Sequence, residues 1–170
     1  MRFLALTALA LLVPSLPPVL VRADTLSGTK SSEMFDRGHT IEVRIERGHA
    51  TFVISRTFEN RSGKHDQAML DITDLPEGAV ATGLRTLAGD ANKPIWYAAE
   101  LLDAEVAAKK YRELTGIGGY YPKDPALLSW RSQGHLMLQV FPVAPKSQKT
   151  VELTLEAPTK YINGDRKSVV

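Results

Sequence analysis

Alternation between apolar and polar residues runs through most of the 170-residue chain and limits the fold more than any other feature. Ile41, Val43 and Ile45 alternate with charged residues in the first such stretch, a pattern typical of a strand with one buried and one solvated face. Similar short stripes recur farther along, at 51–59, 68–72, 80–87, 95–97, 136–141 and 151–155. The spacing predicts a mainly β fold, an antiparallel β-sandwich of about seven strands.

One segment departs from this alternation and predicts a single helix over about 103–115. Asp103 is suited to the N-cap, where its carboxylate complements the helix dipole. Ala107, Tyr111 and Leu114 follow at i, i+4 and i+7 and therefore share a face. About three turns of helix are marginal alone in water, so the helix is expected to dock on the sheet through Tyr111.

Residues 1–23 have the features of a secretory signal peptide, with a positive start, an apolar run and a small residue at the end. Cleavage is expected between Ala23 and Asp24. The apolar run over 3–13 is short for a membrane span, although an uncleaved anchor is the alternative interpretation. These features predict a secreted, periplasmic or cell-envelope protein with no membrane insertion after leader cleavage.

Charge and cysteine content narrow the class of protein further. The formal net charge is +2, and Arg2 and Arg22 both lie in the predicted leader, so the mature chain is close to neutral. A nucleic-acid-binding domain would carry a basic patch or stripe, and we expect no nucleic-acid partner. The chain has no cysteine, so it folds without disulfides, which favours a bacterial envelope over an animal extracellular space.

The sequence contains no recognisable catalytic motif. The four histidines lie in polar or glycine-containing segments without metal-ligand spacing, and we interpret them as solvated turn residues (His39, His49, His65 and His135). No serine lies in a nucleophile elbow. We therefore predict no catalytic residue, no metal site and no bound cofactor. Asn60-Arg61-Ser62 matches the glycosylation sequon, a triplet that arises often by chance.

Aromatic residues are the best candidates for contact with a partner. Tyr120 and Tyr121 lie in a glycine-rich stretch after the predicted helix and are the preferred candidates for an exposed contact surface. Trp96 and Trp130 are suited to a sugar-binding surface or to half-buried packing in a sheet.

An ordered series of short motifs between residues 38 and 161 resembles the VIT (vault protein inter-alpha-trypsin) domain. The matching residues are the hairpin end Ser55-Arg56-Thr57-Phe58-Glu59-Asn60, the turn Leu75-Pro76, the helix residues Glu105, Ala107 and Tyr111, and the closing pairs Asp124-Pro125 and Phe141-Pro142. VIT domains occur in inter-alpha-trypsin inhibitor heavy chains and in bacterial exported proteins, usually before a von Willebrand A domain. The metal-binding Asp-x-Ser-x-Ser motif of that neighbouring domain does not occur in this sequence.

The resemblance implies an exported, non-catalytic module that mediates protein–protein or matrix contact. The expected organisation is a signal peptide at 1–23, a flexible lead-in at 24–37, a VIT-like domain at 38–161 and a linker or frayed tail at 162–170. The resemblance allows either a fragment of a larger protein or a stand-alone VIT module. We favour the N-terminal fragment of a larger envelope protein, with a von Willebrand A domain downstream. The alternative is a carbohydrate-binding or hydrolytic envelope β-sandwich protein.

Overall fold

Short alternating segments pair into two antiparallel sheets in the part of the chain that the computed structural model describes, namely residues 24–90, 93–100, 102–115, 125–162 and 165–168. The elements there are β1 (Thr25–Gly28), β2 (Met34–Ile45), β3 (His49–Asn60), β4 (Asp66–Ile72), β5 (Val80–Asp90), β6 (Lys93–Ala98), α1 (Ala104–Thr115), β7 (Ala126–Ser132), β8 (His135–Val143), β9 (Ser147–Ile162) and β10 (Asp165–Ser168).

The two sheets differ in width. The small sheet has four strands in the order β1-β4-β8-β7. The large sheet has six strands, in the order β2-β3-β9-β5-β6 with β10 paired to β9. The predicted mainly β, antiparallel sandwich with one helix is therefore confirmed.

The core lies between the centres of the two sheets. Alternation along β4 buries Ala68, Leu70 and Ile72 and leaves the residues between them half-buried. Phe58 of β3 and Leu153 of β9 face them from the large sheet and are fully buried. Each large apolar side chain buried in this way stabilises the fold by about 1.5–3 kcal/mol.

All seven predicted strands are present, and three more occur that the alternation did not predict. These are β1 and β10, at the two ends of the described chain, and β7, which follows the helix. The expectation of a flexible lead-in at 24–37 is wrong, because β1 pairs with β4 and Met34 at the start of β2 is buried. The expected tail at 162–170 also contains structure, since β10 pairs with the end of β9.

Polar side chains explain why the N-terminal segment belongs to the fold. The fully buried Asp66 carboxylate accepts hydrogen bonds from the backbone N–H of Lys30 (2.9 Å) and of Ser31 (3.0 Å), and from the Ser31 hydroxyl (3.1 Å). Arg56, also buried, places Nη2 3.0 Å from Asp24. These contacts give each buried charge a partner of opposite charge or a hydrogen-bond donor, and they attach the segment to the sheets.

The predicted helix and its docking residue are confirmed. The Ala107 N–H donates to the Asp103 carbonyl (2.8 Å), which makes Asp103 the first residue of the helical hydrogen-bond pattern. Tyr111 is only 7% exposed, and its hydroxyl donates to Gln67 Oε1 on β4 (3.1 Å). Val106, beside the docking face, is exposed, so the buried stripe of the helix is narrow.

Within the described part of the chain, no helix combines the length and the apolar character that crossing a bilayer requires.

Candidate functional site

Among the residues that the structure describes, most of the exposed large apolar side chains lie on the two outermost strands of the large sheet. On β2 these are Phe35, near the start of the strand, and the three residues that we call the apolar edge, Ile41, Val43 and Ile45. On β6 they are Ile95, Trp96 and Tyr97, which we call the aromatic edge. Their exposed fractions lie between 37% and 58%. Contiguous exposed apolar side chains mark interaction surfaces more often than isolated ones do.

The apolar edge is exposed because the small sheet does not cover it. Ile41 lies opposite Ile54 on β3 and Val43 lies opposite Phe52, so both share the face that Ile54 and Phe52 turn towards the core. Ile54 and Phe52 pack against that core, whereas Ile41 and Val43, one strand farther out, are about half exposed. The expectation that this strand buries one face is therefore wrong.

The aromatic edge is braced by charged side chains on the outer face of the large sheet. The Arg85 guanidinium lies 4.4 Å from the centroid of the Trp96 ring, in cation–π geometry. Arg85 Nε also lies 2.6 Å from Glu152 Oε1, and this hydrogen bond raises the pKa of Arg85 above its usual value. Trp96 is thus held in one orientation while remaining more than one-third exposed.

A cavity of about 660 Å³ lies between the inner side of the aromatic edge and the helix. Leu84, Tyr97, Tyr111, Leu114 and Ala126 contribute to its walls. Burial raises the pKa of the Tyr111 phenol well above its usual range, so the hydroxyl stays neutral and donates to Gln67. The volume is within the range of small-molecule sites.

The residues on which the VIT resemblance rests support turns, the helix and strand contacts, and they do not lie together at one site. Leu75 packs against the core, and its N–H donates to the Gly134 carbonyl (3.1 Å), which joins the turn before β5 to the turn before β8. Pro76 accepts from the Ala79 N–H within the same turn (3.0 Å).

The remaining signature residues connect the helix and the small sheet. Pro125 accepts from the Phe141 N–H (3.1 Å), beside Pro142 on β8. Glu105 is exposed in the first helical turn, and Ala107 lines the cavity. Four of the predicted site residues lie outside the described residues: Ala23, Tyr120, Tyr121 and Asp124.

The sequence interpretation of the histidines as turn residues is wrong for two of them. His39 lies within β2 and His135 within β8, so neither is a turn residue. His135 Nε2 lies 2.7 Å from Asp71 Oδ1. Desolvation, and to a smaller degree the charge of Arg56, lowers the pKa of His39. Among the residues that the structure describes, no group of three or more histidine, cysteine or carboxylate side chains is placed to hold a metal ion.

Two sequence candidates for sugar contact are separated by the fold. Trp96 lies on the large sheet, whereas Trp130 lies on β7 of the small sheet beside Pro76 and Gly134.

The asparagine of the glycosylation sequon forms hydrogen bonds within the fold. Asn60 is fully buried, and its Nδ2 donates to the carbonyls of Lys64 (2.8 Å) and Val143 (2.9 Å), so the folded chain offers no glycosylation acceptor there.

No family model matches this chain, and no curated protein is significantly similar to it. The VIT resemblance accordingly remains an expectation from the sequence motifs.

Proposed function

We propose that the chain is an exported, non-catalytic interaction module of VIT type, which binds a protein partner through the aromatic edge. The observation that supports the proposal is the exposure of Ile95, Trp96 and Tyr97 along one outer strand, where Trp96 lies on the outer face of the sheet and Ile95 and Tyr97 lie on the inner face. Tryptophan, tyrosine and arginine are the residues that most often dominate the binding free energy of protein interfaces.

The bracing of Trp96 adds to this support. A side chain that already lies in one orientation loses little conformational freedom when a partner covers it. Arg85 and Glu152 hold the Trp96 ring in this way and leave part of its surface open to solvent. A partner with an apolar pocket and a rim of hydrogen-bonding groups would fit such a surface.

Site-specific photocrosslinking tests this function. A benzoylphenylalanine at Tyr97 is expected to form a discrete adduct with one envelope protein in producing cells, and Trp96→Ala is expected to abolish that adduct. Phe35 is the matched control position, because it is another exposed aromatic with an arginine, Arg61, over its ring. Equal adducts at both positions, or none at Tyr97, would refute the proposal.

Export is tested separately from binding. The sequence predicts that the mature protein begins at Asp24, and N-terminal sequencing of the protein from the envelope fraction checks this. A mature chain that still carries the leader would support the uncleaved-anchor alternative. A von Willebrand A domain encoded downstream in frame would support the proposed place of the module within a larger envelope protein.

Carbohydrate binding is the second candidate, and the exposure of Trp96 and Trp130 is the observation that favours it. Aromatic rings that are partly open to solvent are suited to stacking on sugars as well as on proteins. A glycan array separates the two candidates. Reproducible sugar binding that is lost in Trp96→Ala or Trp130→Ala would favour the carbohydrate-binding function.

A further inference from the structure

The large sheet ends at β2, and the backbone of its apolar edge is open to a further strand. The Glu46 N–H donates to the His49 carbonyl (3.0 Å), so these two residues form a hydrogen-bonded pair across the hairpin. Hydrogen-bonded pairs alternate with non-bonded pairs along an antiparallel ladder, and the register runs unbroken from Gly38 to Ile45. Glu42 and Arg44 therefore bond to β3, whereas Ile41, Val43 and Ile45 direct their N–H and C=O groups outwards.

The apolar edge also carries one acidic and one basic residue, placed symmetrically about its central residue. Glu42 and Arg44 are both exposed and lie on either side of Val43. Within the described part of the chain neither of them forms an ion pair. A two-fold axis through Val43 would place Glu42 of each copy opposite Arg44 of the other.

We propose that two copies of this chain pair antiparallel through β2, with Val43 opposite Val43 of the second copy. Ile41 then lies opposite Ile45, so every outward N–H and C=O group of the apolar edge finds a partner. All six apolar side chains fall on one face and cover one another laterally. Two Glu42–Arg44 pairs form on the other face, each a favourable cross-strand pair. The interface is isologous, as two-fold symmetry requires.

The neighbouring registers are disfavoured by the same charges. Moving the axis to residue 42 places Glu42 opposite Glu42, and moving it to residue 44 places Arg44 opposite Arg44. Like charges directly opposite one another are destabilising. A shift that places an outward-facing residue such as Val43 opposite a residue already bonded to β3, such as Glu42, leaves the backbone groups unable to pair between the two copies. Of the three registers centred on residues 42, 43 and 44, the one centred on Val43 satisfies both the backbone and the charges.

This pairing goes beyond the proposed function and does not depend on it, because the aromatic edge lies at the opposite side of the large sheet. The contact is one strand wide and smaller than a standard stable interface. We therefore expect a monomer–dimer equilibrium that shifts with protein concentration and is best followed by sedimentation velocity.

Single cysteines test the register, because the natural chain has none. With a short thiol-to-thiol crosslinker, Val43→Cys is expected to give a covalent dimer. Ile41→Cys and Ile45→Cys, each tested alone, are expected to give no covalent dimer, because identical positions are about 13 Å apart along the strand in the paired copies. An equimolar mixture of these last two variants is expected to crosslink.

Charge-reversal variants test how much the Glu42–Arg44 pairs contribute to the affinity of the two copies for each other. Glu42→Arg alone and Arg44→Glu alone are each expected to weaken the dimer about tenfold, since each variant faces two like-charge pairs. Mixing the two variants restores complementary pairs and is expected to restore the dimer, as is the double variant Glu42→Arg/Arg44→Glu. Arg131→Glu, an exposed arginine on the edge strand β7 of the small sheet, is the control and leaves the dimer unchanged.

A chain that stays monomeric at all concentrations would overturn the proposal. Crosslinking that is equally efficient at positions 41, 43 and 45 would overturn it, and so would charge variants that do not rescue one another. Capture of a different protein or of a membrane by β2, with no self-association, would also overturn it.

Discussion

Two isoleucines in neighbouring strands of the large sheet have opposite environments. Ile54 on β3 and Ile41 on β2 lie directly opposite each other and on the same face. Ile54 packs against the core, whereas Ile41 is 51% exposed. The difference arises because the small sheet has only four strands and covers the centre of the large sheet. Alternation determines which residues share a face, and the width of the opposing sheet determines whether that face is buried.

The centre of the sandwich should therefore supply the stability, and the edges should be available for contact. The first test compares a central and an edge side chain. Leu153→Ala removes a fully buried side chain and is expected to lower the free energy of unfolding by about 3 kcal/mol. Ile41→Ala is expected to change it by less than about 0.5 kcal/mol. Urea unfolding in dilute solution measures both, and equal losses would contradict the comparison.

The second test concerns Tyr111, the buried residue through which the helix docks. Tyr111→Ala is expected to lower the free energy of unfolding by about 3 kcal/mol, because the ring is buried where the helix docks. Tyr111→Phe removes only the hydrogen bond to Gln67 and should cost about 1 kcal/mol. Thermal melts compare the two variants. An unchanged melt in Tyr111→Ala would show that the helix does not depend on this docking.

Two aspartate substitutions test whether the N-terminal segment, including β1, is part of the fold. Asp66→Ala leaves the N–H groups of Lys30 and Ser31 without their carboxylate, and should lower the free energy of unfolding by about 2 kcal/mol. Asp71→Ala removes a carboxylate paired with the partly exposed His135 and should cost less than about 1 kcal/mol. Similar losses in the two variants would indicate that the segment is a lead-in outside the fold.

The turn between β2 and β3 is expected to show a smaller effect. Gly48 has a φ of +86°, which side-chain-bearing residues rarely adopt, and a Cβ there would meet no atom within 4 Å. Gly48→Ala should therefore destabilise the hairpin through backbone strain alone, by about 1 kcal/mol. Gly63→Ala is the matched control, because a Cβ there also meets nothing and φ is not in the left-handed region. A Gly48→Ala variant as stable as that control would contradict the turn geometry.

The smallest predicted effect is a pH dependence at the edge strand. The pKa of His39 is lowered in the folded protein, so below about pH 6.5 the unfolded chain binds more protons at this residue than the folded chain does. The contribution of His39 to stability is present above that pH and is lost as the pH falls through the folded-state pKa. His39→Gln should reduce the loss of stability between pH 7.5 and 5. Parallel urea titrations at the two pH values, with identical losses in both proteins, would contradict this.

The sequence predicted the elements with strong periodicity and missed those held by polar contacts. Seven strands and the helix follow from apolar spacing, and Tyr111 was identified as the docking residue on the same basis. β1 has no apolar stripe, and its attachment depends on Asp66, a residue far away in the chain whose role no local pattern reveals. β7 is not predicted from the sequence, because its apolar residues do not alternate with polar ones.

The candidate sites were harder to predict than the fold. Exposure of β2 and β6 depends on where the small sheet ends, and alternation within a strand carries no information about that. Trp96 was recognised as a candidate contact, but its bracing by Arg85 and Glu152 joins three strands and has no signature in the sequence. The preferred contact residues, Tyr120 and Tyr121, lie outside the described residues.

Amide hydrogen exchange along β2 tests most directly the claim that this strand is an open edge. In dilute solution the N–H groups of Glu42 and Arg44, which bond to β3, should be protected, whereas those of Ile41, Val43 and Ile45 should exchange rapidly. Raising the protein concentration should then protect the second group as well. Uniform protection of all five amides at the lowest concentration would show that the edge is already covered, and would contradict the account.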